Sequence, residues 1–342
     1  MNDNRQPRVL IVKLSSLGDV VHSLPTLAAL RRHLPQAFIG WCVGQAAAPL
    51  VAGHPLLDIT FVLREGAVRE APGVIVRQTS LALVRAIRRY RFDIALDLQG
   101  LFKSAWLACL AGARRRVGYR TWQECAFFFN ERAIAPRRVH AVDNYLDFAR
   151  LLGAQADKPE FVLLERPEAV ARMEALLAET GAAGQAAVLL PSTSWASKRW
   201  LPERFGELAQ VLAGWGLRPL VGGAPGDGAL CDQVVSKAGG VALSIAGRTG
   251  VGDLPALFRR CRLVVGPDSG PTHVAAATGT PVVAIYGPTQ PLLTAPYGER
   301  VEVVQAAAPC APCRKRQCAD LACQRAVTVE MVAQAARRLL GQ

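Results

Sequence analysis

Two stretches of this chain place reactive residue types where a folded backbone can present them. In the first, the apolar run Leu263-Val264-Val265 stops at Gly266-Pro267, and Asp268-Ser269-Gly270-Pro271-Thr272-His273 leads into the alanine-rich Val274–Ala277. That order reads as strand, tight turn and helix start. The unpaired N–H groups at a helix start favour an anion such as a phosphate or diphosphate. Asp268 and Ser269 can cap the helix, and Pro271 suits its first turn. Thr272 and His273 add polar groups beside the anion. The same residues also suit a well-capped loop without a ligand, and His273 alone suits a buried, hydrogen-bonded histidine. In the second stretch, the buried run Val9–Val12 enters Lys13-Leu14-Ser15-Ser16-Leu17-Gly18-Asp19, followed by an apolar-periodic helix over 20–33. Asp19 at this loop-to-helix junction can take a proton from a hydroxyl or can merely cap the helix. His22 can support it or pack.

Other turns repeat the design. Ala187–Leu190 runs into Pro191–Trp200, which contains Thr193, Ser194 and Lys198, and Gly223–Asp227 and Gly247–Gly250 are glycine-rich strand exits. Asp97–Ser104 puts a glycine and Lys103 at another. Strands are expected at 8–12, 38–43, 59–62 and 94–97, with helices at 20–33, 79–90, 103–111 and from His140 to about 152. The second half restarts at 187–190, with strands at 218–222, 243–246, 263–265 and 281–286. Its helices begin at Pro202, at Asp253 and at Thr328. This βα alternation predicts an α/β fold with two doubly wound, Rossmann-like parallel sheets. The expected division is a domain over 1–153, a linker over 154–167 and a domain over 168–327. A final helix over 328–342 can cross back onto the first domain.

Bulk properties narrow the class. A chain of 342 residues exceeds the usual single core, and 51% hydrophobic with 20% charged residues fits a globular α/β enzyme. No apolar run reaches membrane-spanning length and no signal peptide opens the chain, so a cytoplasmic location is expected. The net charge of +13 is concentrated in the first 150 residues, at Arg85–Arg91, Arg114–Arg116 and Arg137–Arg138. Nucleic acid is one partner for such clusters, but aromatics at 6% are not interleaved with them as base stacking requires. An anionic glycolipid at a membrane surface suits the pattern as well. Of nine cysteines, Cys42, Cys109, Cys125, Cys231 and Cys261 lie in apolar segments. Cys310, Cys313, Cys318 and Cys323 form C-x2-C-x4-C-x4-C, which reads either as a structural zinc knuckle or as a loop of thiols.

Lys-x-Ser-Ser-x-Gly-Asp-Val-x-His-x-Leu-Pro at residues 13–25, Asp-Ser-Gly-Pro-Thr-His at 268–273 and Tyr286-Gly287-Pro288-Thr289, in that order, resemble glycosyltransferase family 9 over about residues 8–340. The N-terminal motif is most similar to members that add the first heptose of lipopolysaccharide; members adding a later heptose are the alternative. The resemblance implies a GT-B arrangement of two Rossmann-like domains facing a cleft. It also implies inverting transfer of L-glycero-D-manno-heptose from ADP-heptose to a Kdo residue of Kdo2-lipid A at the cytoplasmic face of the inner membrane. Asp19 would then be the general base, and Lys198 the cation for the diphosphate with no metal required. Thr193, Ser194, Asp227, Thr249, Asp268, Ser269, Gly270, Thr272 and His273 would complete the donor site. Ser15, Ser16, Gly18, Lys103, Arg120 and His140 would face the acceptor, with Arg114–Arg116 and Arg137 in the same pool. A non-catalytic nucleotide- or nucleic-acid-binding protein is the rival of another class, which intact Asp19 and Lys198 disfavour.

Overall fold

The structure, a computed structural model, describes residues 6–63, 75–119, 132–134 and 140–341. Arg120, Cys125, Arg137 and Arg138 lie outside the described residues. The chain divides into two units, residues 1–164 and 165–342.

In the first unit the strands β1 (Arg8–Val12), β2 (Phe38–Gly44), β3 (Ile59–Leu63), β4 (Ile94–Asp97), β5 (Arg115–Tyr119) and β6 (Arg132–Ile134) form one sheet in the order β3-β2-β1-β4-β5-β6. In the second, β7 (Ala186–Leu189), β8 (Arg218–Val221), β9 (Leu243–Ser244), β10 (Leu263–Pro267), β11 (Val282–Tyr286) and β12 (Val301–Gln305) give β12-β11-β10-β7-β8-β9. All pairings are parallel. Counted from the first strand of each unit, both sheets have the Rossmann order 3-2-1-4-5-6. The order reverses between β1 and β4 in one sheet and between β7 and β10 in the other. Chains leaving those neighbours diverge to opposite faces, and the gap between them is where such sheets take ligands.

Central strands are apolar on both faces because helices cover both. Val9, Leu10, Ile11 and Val12 are fully buried, as are Leu263, Val264 and Val265. In the first unit Phe38, Phe61, Tyr90 and Phe92 pack ring against ring at the edge of the core. Gly40 leaves room there, since a Cβ would fall 2.7 Å from the Phe92 ring.

Several expectations change. The first helix is Leu17–His33, so Asp19 lies inside its first turn rather than ahead of it. Arg115 and Arg116, read as part of a basic cluster, belong to β5, and Arg116 pairs with Ala95 of β4. β5, β6 and β12 had no expected counterpart; the two edge strands among them, β6 and β12, are short or half-exposed. The last helix is Val329–Leu340. It buries Val329, Val332, Ala335 and Ala336 in the core of the second unit, with Trp200, Phe205 and Val304. In the expected linker, Ala154 and Ala156 are buried and Val162 O bonds the His54 ring at 3.0 Å, so the first unit extends to Leu164. Pro167 opens a helix over Pro167–Glu179. No helix among the described residues is long and apolar enough to cross a membrane.

Candidate active site

At the first switch point the loop after β1 meets the end of β4. Leu98 N donates to Val12 O at 3.0 Å, and Gln99 Oε1 accepts from Leu14 N and Ser15 N at 3.1 and 3.2 Å. This pins the Ser15-Ser16 turn, whose side chains are exposed while Gly18 is buried. Ser16 N and Ser16 Oγ donate to Asp19 Oδ2 at 3.1 and 2.7 Å, fixing one carboxylate oxygen against the turn. Asp19 Oδ1 accepts from the Tyr145 hydroxyl at 3.1 Å and lies 3.9 Å from Lys13 Nζ. Lys13, only 2% exposed, donates to the Tyr145 oxygen at 2.8 Å and to Leu98 O at 3.2 Å. Lysine, tyrosine and aspartate thus form one chain of donors ending at the carboxylate.

Charge follows from this geometry. Burial pushes the Asp19 carboxyl up, but Lys13, the two Ser16 hydrogen bonds and His22 outweigh it and bring it down to about 2. Burial lowers Lys13, opposed by Asp19 and Asp97. Asp97 ends β4, fully buried, with Oδ1 accepting from Gln99 N and Gly100 N at 3.1 Å each. Its Oδ2 has no hydrogen-bond partner among the described residues, and burial pushes the acid up to about 6. The site therefore holds an ionised carboxylate at its mouth, with a buried cation behind it.

Around Asp19, the His22 ring meets the His140 ring edge-on at 5.2 Å between centroids. His140 Nδ1 accepts from Val142 N at 3.2 Å and so caps the helix Ala141–Leu151, which carries Tyr145. Lys103 is exposed in the first turn of the helix Phe102–Leu110, directly after the β4 exit.

At the second switch point the loops after β7 and β10 converge on Asp268, 8% exposed. Lys198 Nζ donates to Asp268 Oδ2 at 2.6 Å, and Thr289 Oγ1 donates to the same oxygen at 2.9 Å. His273 Nε2 lies 3.3 Å from Oδ1, and Thr193 Oγ1 lies 3.5 Å from the Asp268 carbonyl oxygen. Burial raises the Asp268 carboxyl, yet His273 and Lys198 hold it well below the usual carboxylate range. Ser269 is the N-cap residue of Gly270–Ala277, but its hydroxyl bonds Thr272 Oγ1 at 2.9 Å, and Thr272 Oγ1 donates to Pro267 O at 2.8 Å. The helix N–H groups are thus not capped by the Ser269 side chain. Asp268 does not cap either, being committed to Lys198, Thr289 and His273. Gly266 makes this fold possible, because a Cβ there would fall 2.7 Å from Thr272 Oγ1.

The remaining donor candidates lie on the same unit. Asp227 Oδ1 accepts from Ser192 Oγ at 2.6 Å and Oδ2 from Ala224 N at 2.9 Å, which ties the β8 exit to the β7 exit. Ser194 is exposed and Thr249 half-buried, the latter in the turn after β9. Sequence reasoning missed Lys13, Asp97 and Tyr145 as site residues. Lys13 had a signal, since it opens the Lys-x-Ser-Ser-x-Gly-Asp run. Tyr145 had none, lying far along the chain and meeting Asp19 only through packing. Thr289 sits in a quoted motif but was given no role. Cys310 is exposed, Cys313 and Cys318 are half-buried and Cys323 is buried, all as free thiols. Among the described residues no group of three or more His, Cys, Asp or Glu is placed to hold a metal ion.

Two Rossmann-like units with polar groups gathered at each switch point define the fold class of the GT-B glycosyltransferases. The family model for glycosyltransferase family 9 (heptosyltransferase) matches residues 80–323, and the chain belongs to that family. It is 32% identical to lipopolysaccharide heptosyltransferase 1 of Pseudomonas aeruginosa, over 91% of this chain and 87% of that one. It is 28% identical to the lipopolysaccharide core heptosyltransferase OpsX of Haemophilus influenzae, over 86% and 83%. The solved structure of E. coli heptosyltransferase WaaC with ADP-2-deoxy-2-fluoro heptose aligns at a TM-score of 0.77 and 26% identity, over 97% of this chain and 99% of that one.

Proposed function

We propose that this glycosyltransferase moves L-glycero-D-manno-heptose from ADP-heptose to a Kdo residue of Kdo2-lipid A, the first heptose of the lipopolysaccharide inner core. The observation that carries the reading is Asp19. It is an ionised carboxylate at a switch point, held on one oxygen by Ser16 and on the other by Tyr145. The relatives' names support heptose transfer, and the solved relative with an ADP-heptose analogue supports the donor.

In this mechanism the donor lies on the second unit. Thr193, Ser194 and the N–H groups of the Gly270–Ala277 helix receive the diphosphate, while Thr249 and Asp227 face the nucleoside. Asp268 accepts sugar hydroxyls, and Lys198 turns from it toward the diphosphate. The acceptor lies on the first unit, with Ser15, Ser16, Gly18, Lys103, Arg120 and His140 as its contacts. Asp19 takes the proton of the Kdo hydroxyl as that oxygen forms the bond to the anomeric carbon. The bond from that carbon to the β-phosphate oxygen breaks on the opposite face, and its electron pair leaves with ADP. Inversion follows from this single displacement. Because Asp19 is a weak base, proton transfer accompanies C–O bond formation rather than preceding it. Fixed donors around the departing diphosphate contribute on the order of 3 kcal/mol each. The enzyme works in the cytoplasm, at the inner-membrane face where its acceptor is anchored.

The test is ADP release from ADP-heptose with Kdo2-lipid A, compared with an acceptor already bearing one heptose. Turnover on the heptose-free acceptor alone, lost in Asp19→Ala, is expected. Turnover only on the heptosylated acceptor assigns the later step, and silence on both with folded protein refutes the reading.

A further inference from the structure

The cysteine-rich segment 310–323 has no part in the mechanism above, yet it is bonded to the loop that carries Lys198. Ser197, the neighbour of Lys198, donates its N–H to Arg316 O at 3.3 Å and its hydroxyl to Lys315 O at 2.5 Å. Gln324, fully buried, donates from Nε2 to Ser197 O at 3.2 Å. On the other side Arg314 N donates to Pro288 O at 2.8 Å, beside Thr289, which bonds Asp268. The segment is therefore fastened to both strands of chain that build the donor site.

These anchors set where Arg316 points. Its guanidinium carbon lies 5.4 Å from the centre of the Trp195 ring, and Lys198 Nζ lies 4.4 Å from the same centre. One indole thus gathers two cations, each attracted by the ring's electron density. Their electrostatic situations differ. Lys198 is bonded to Asp268 at 2.6 Å, so a carboxylate already offsets its charge. Arg199, next in sequence, turns both Nε and Nη2 onto Thr193 O at 3.2 Å. Arg316 is exposed and forms no ion pair with a carboxylate among the described residues. A diphosphate carries more charge than one half-neutralised lysine can balance, and guanidinium is the group that grips phosphate oxygens in pairs.

We propose that Arg316, delivered by the cysteine-rich segment and held on Trp195 beside Lys198, is a second cation for the diphosphate of the nucleotide-sugar donor. The proposal rests on the donor-site reading above, and its test separates the two. ADP and AMP binding to the full chain is measured by titration calorimetry for the wild type, Arg316→Gln, Arg316→Lys and Arg325→Gln. Arg325 serves as control, an exposed arginine just beyond the segment and paired with Asp320. Arg316→Gln is expected to weaken ADP about tenfold, the effect of one charge-assisted phosphate contact. It should weaken AMP less, Arg316→Lys should recover part of the loss, and Arg325→Gln should match the wild type. ADP binding by Arg316→Gln within twofold of wild type overturns the proposal, as does an equal loss in Arg325→Gln. A wild type that binds no ADP refutes the donor-site reading itself, and the proposal with it.

Discussion

Lys13→Met tests how the buried cation governs the proposed base. Lys13 is 2% exposed and 3.9 Å from Asp19 Oδ1, and after burial it is the largest influence on that carboxyl. With Lys13 present, Asp19 falls from its ordinary 3.8 to about 2, so it is fully ionised from pH 5 upward and contributes no acid limb there. Methionine has similar volume and no charge. In its presence burial is opposed by the Ser16 and Tyr145 hydrogen bonds and by His22 alone, so the Asp19 carboxyl is expected to rise from about 2. The assay is kcat/KM for ADP release from pH 4.5 to 8. The wild type should show no fall assignable to Asp19, whereas Lys13→Met should lose activity toward pH 5. Removing the lysine also frees Leu98 O and the Tyr145 hydroxyl from one hydrogen bond each, at about 1–3 kcal/mol per buried group. Urea unfolding therefore accompanies the profile, so that lost protein is not read as lost base. Superimposable wild-type and variant profiles from a folded variant would refute the reasoning.

Two further outcomes concern stability. Asp97, fully buried, has its acid raised to about 6, so its contribution to folding is complete below about 4 and lost as the pH rises through 6. Asp97→Asn cannot ionise, and its unfolding free energy relative to wild type is expected to improve by about 2 kcal/mol between pH 4.5 and 8; parallel pH dependences would contradict this. Gly266→Ala places a methyl 2.7 Å from Thr272 Oγ1 and 3.0 Å from Leu190 Cβ. A loss of about 1–3 kcal/mol in urea unfolding is expected, together with weaker ADP binding as the Gly270–Ala277 helix shifts. Unchanged ADP affinity would show that this helix start does not shape the donor site.

The sequence by itself determined the parts of this protein that depend on near neighbours. Runs such as Val9–Val12 and Leu263–Val265 are apolar on both faces, which only a strand covered by helices on both sides tolerates, and each ends in a turn that must open a helix. The Rossmann-like class, the two halves and the loops after β1, β7 and β10 follow from that local pattern. Asp19, Lys198 and Asp268 stood out as candidates because each sits in a short run whose spacing sets its position on a loop or first turn, and the family resemblance added the roles proposed for them.

Only the tertiary structure decided what those residues touch. Tyr145 reaches Asp19, and Thr289 reaches Asp268, across long separations in the chain. Such contacts depend on sheet order and helix packing, which no local spacing encodes. Edge strands β6 and β12 escaped because a strand with one neighbour needs no continuous apolar run; β6 has only three residues and β12 is partly exposed. The last helix is as amphipathic docked on one unit as on the other, and the complementary surface formed by Trp200, Phe205 and Val304 settled its place. The cysteine-rich segment shows the same limit: its spacing left a zinc knuckle and a loop of thiols both open, and its fastening to Ser197 and Pro288 exists only in the folded chain. Residue identity fixes which groups can do chemistry; long-range packing fixes which of them meet, because contact energies act between surfaces that sequence neighbours do not share.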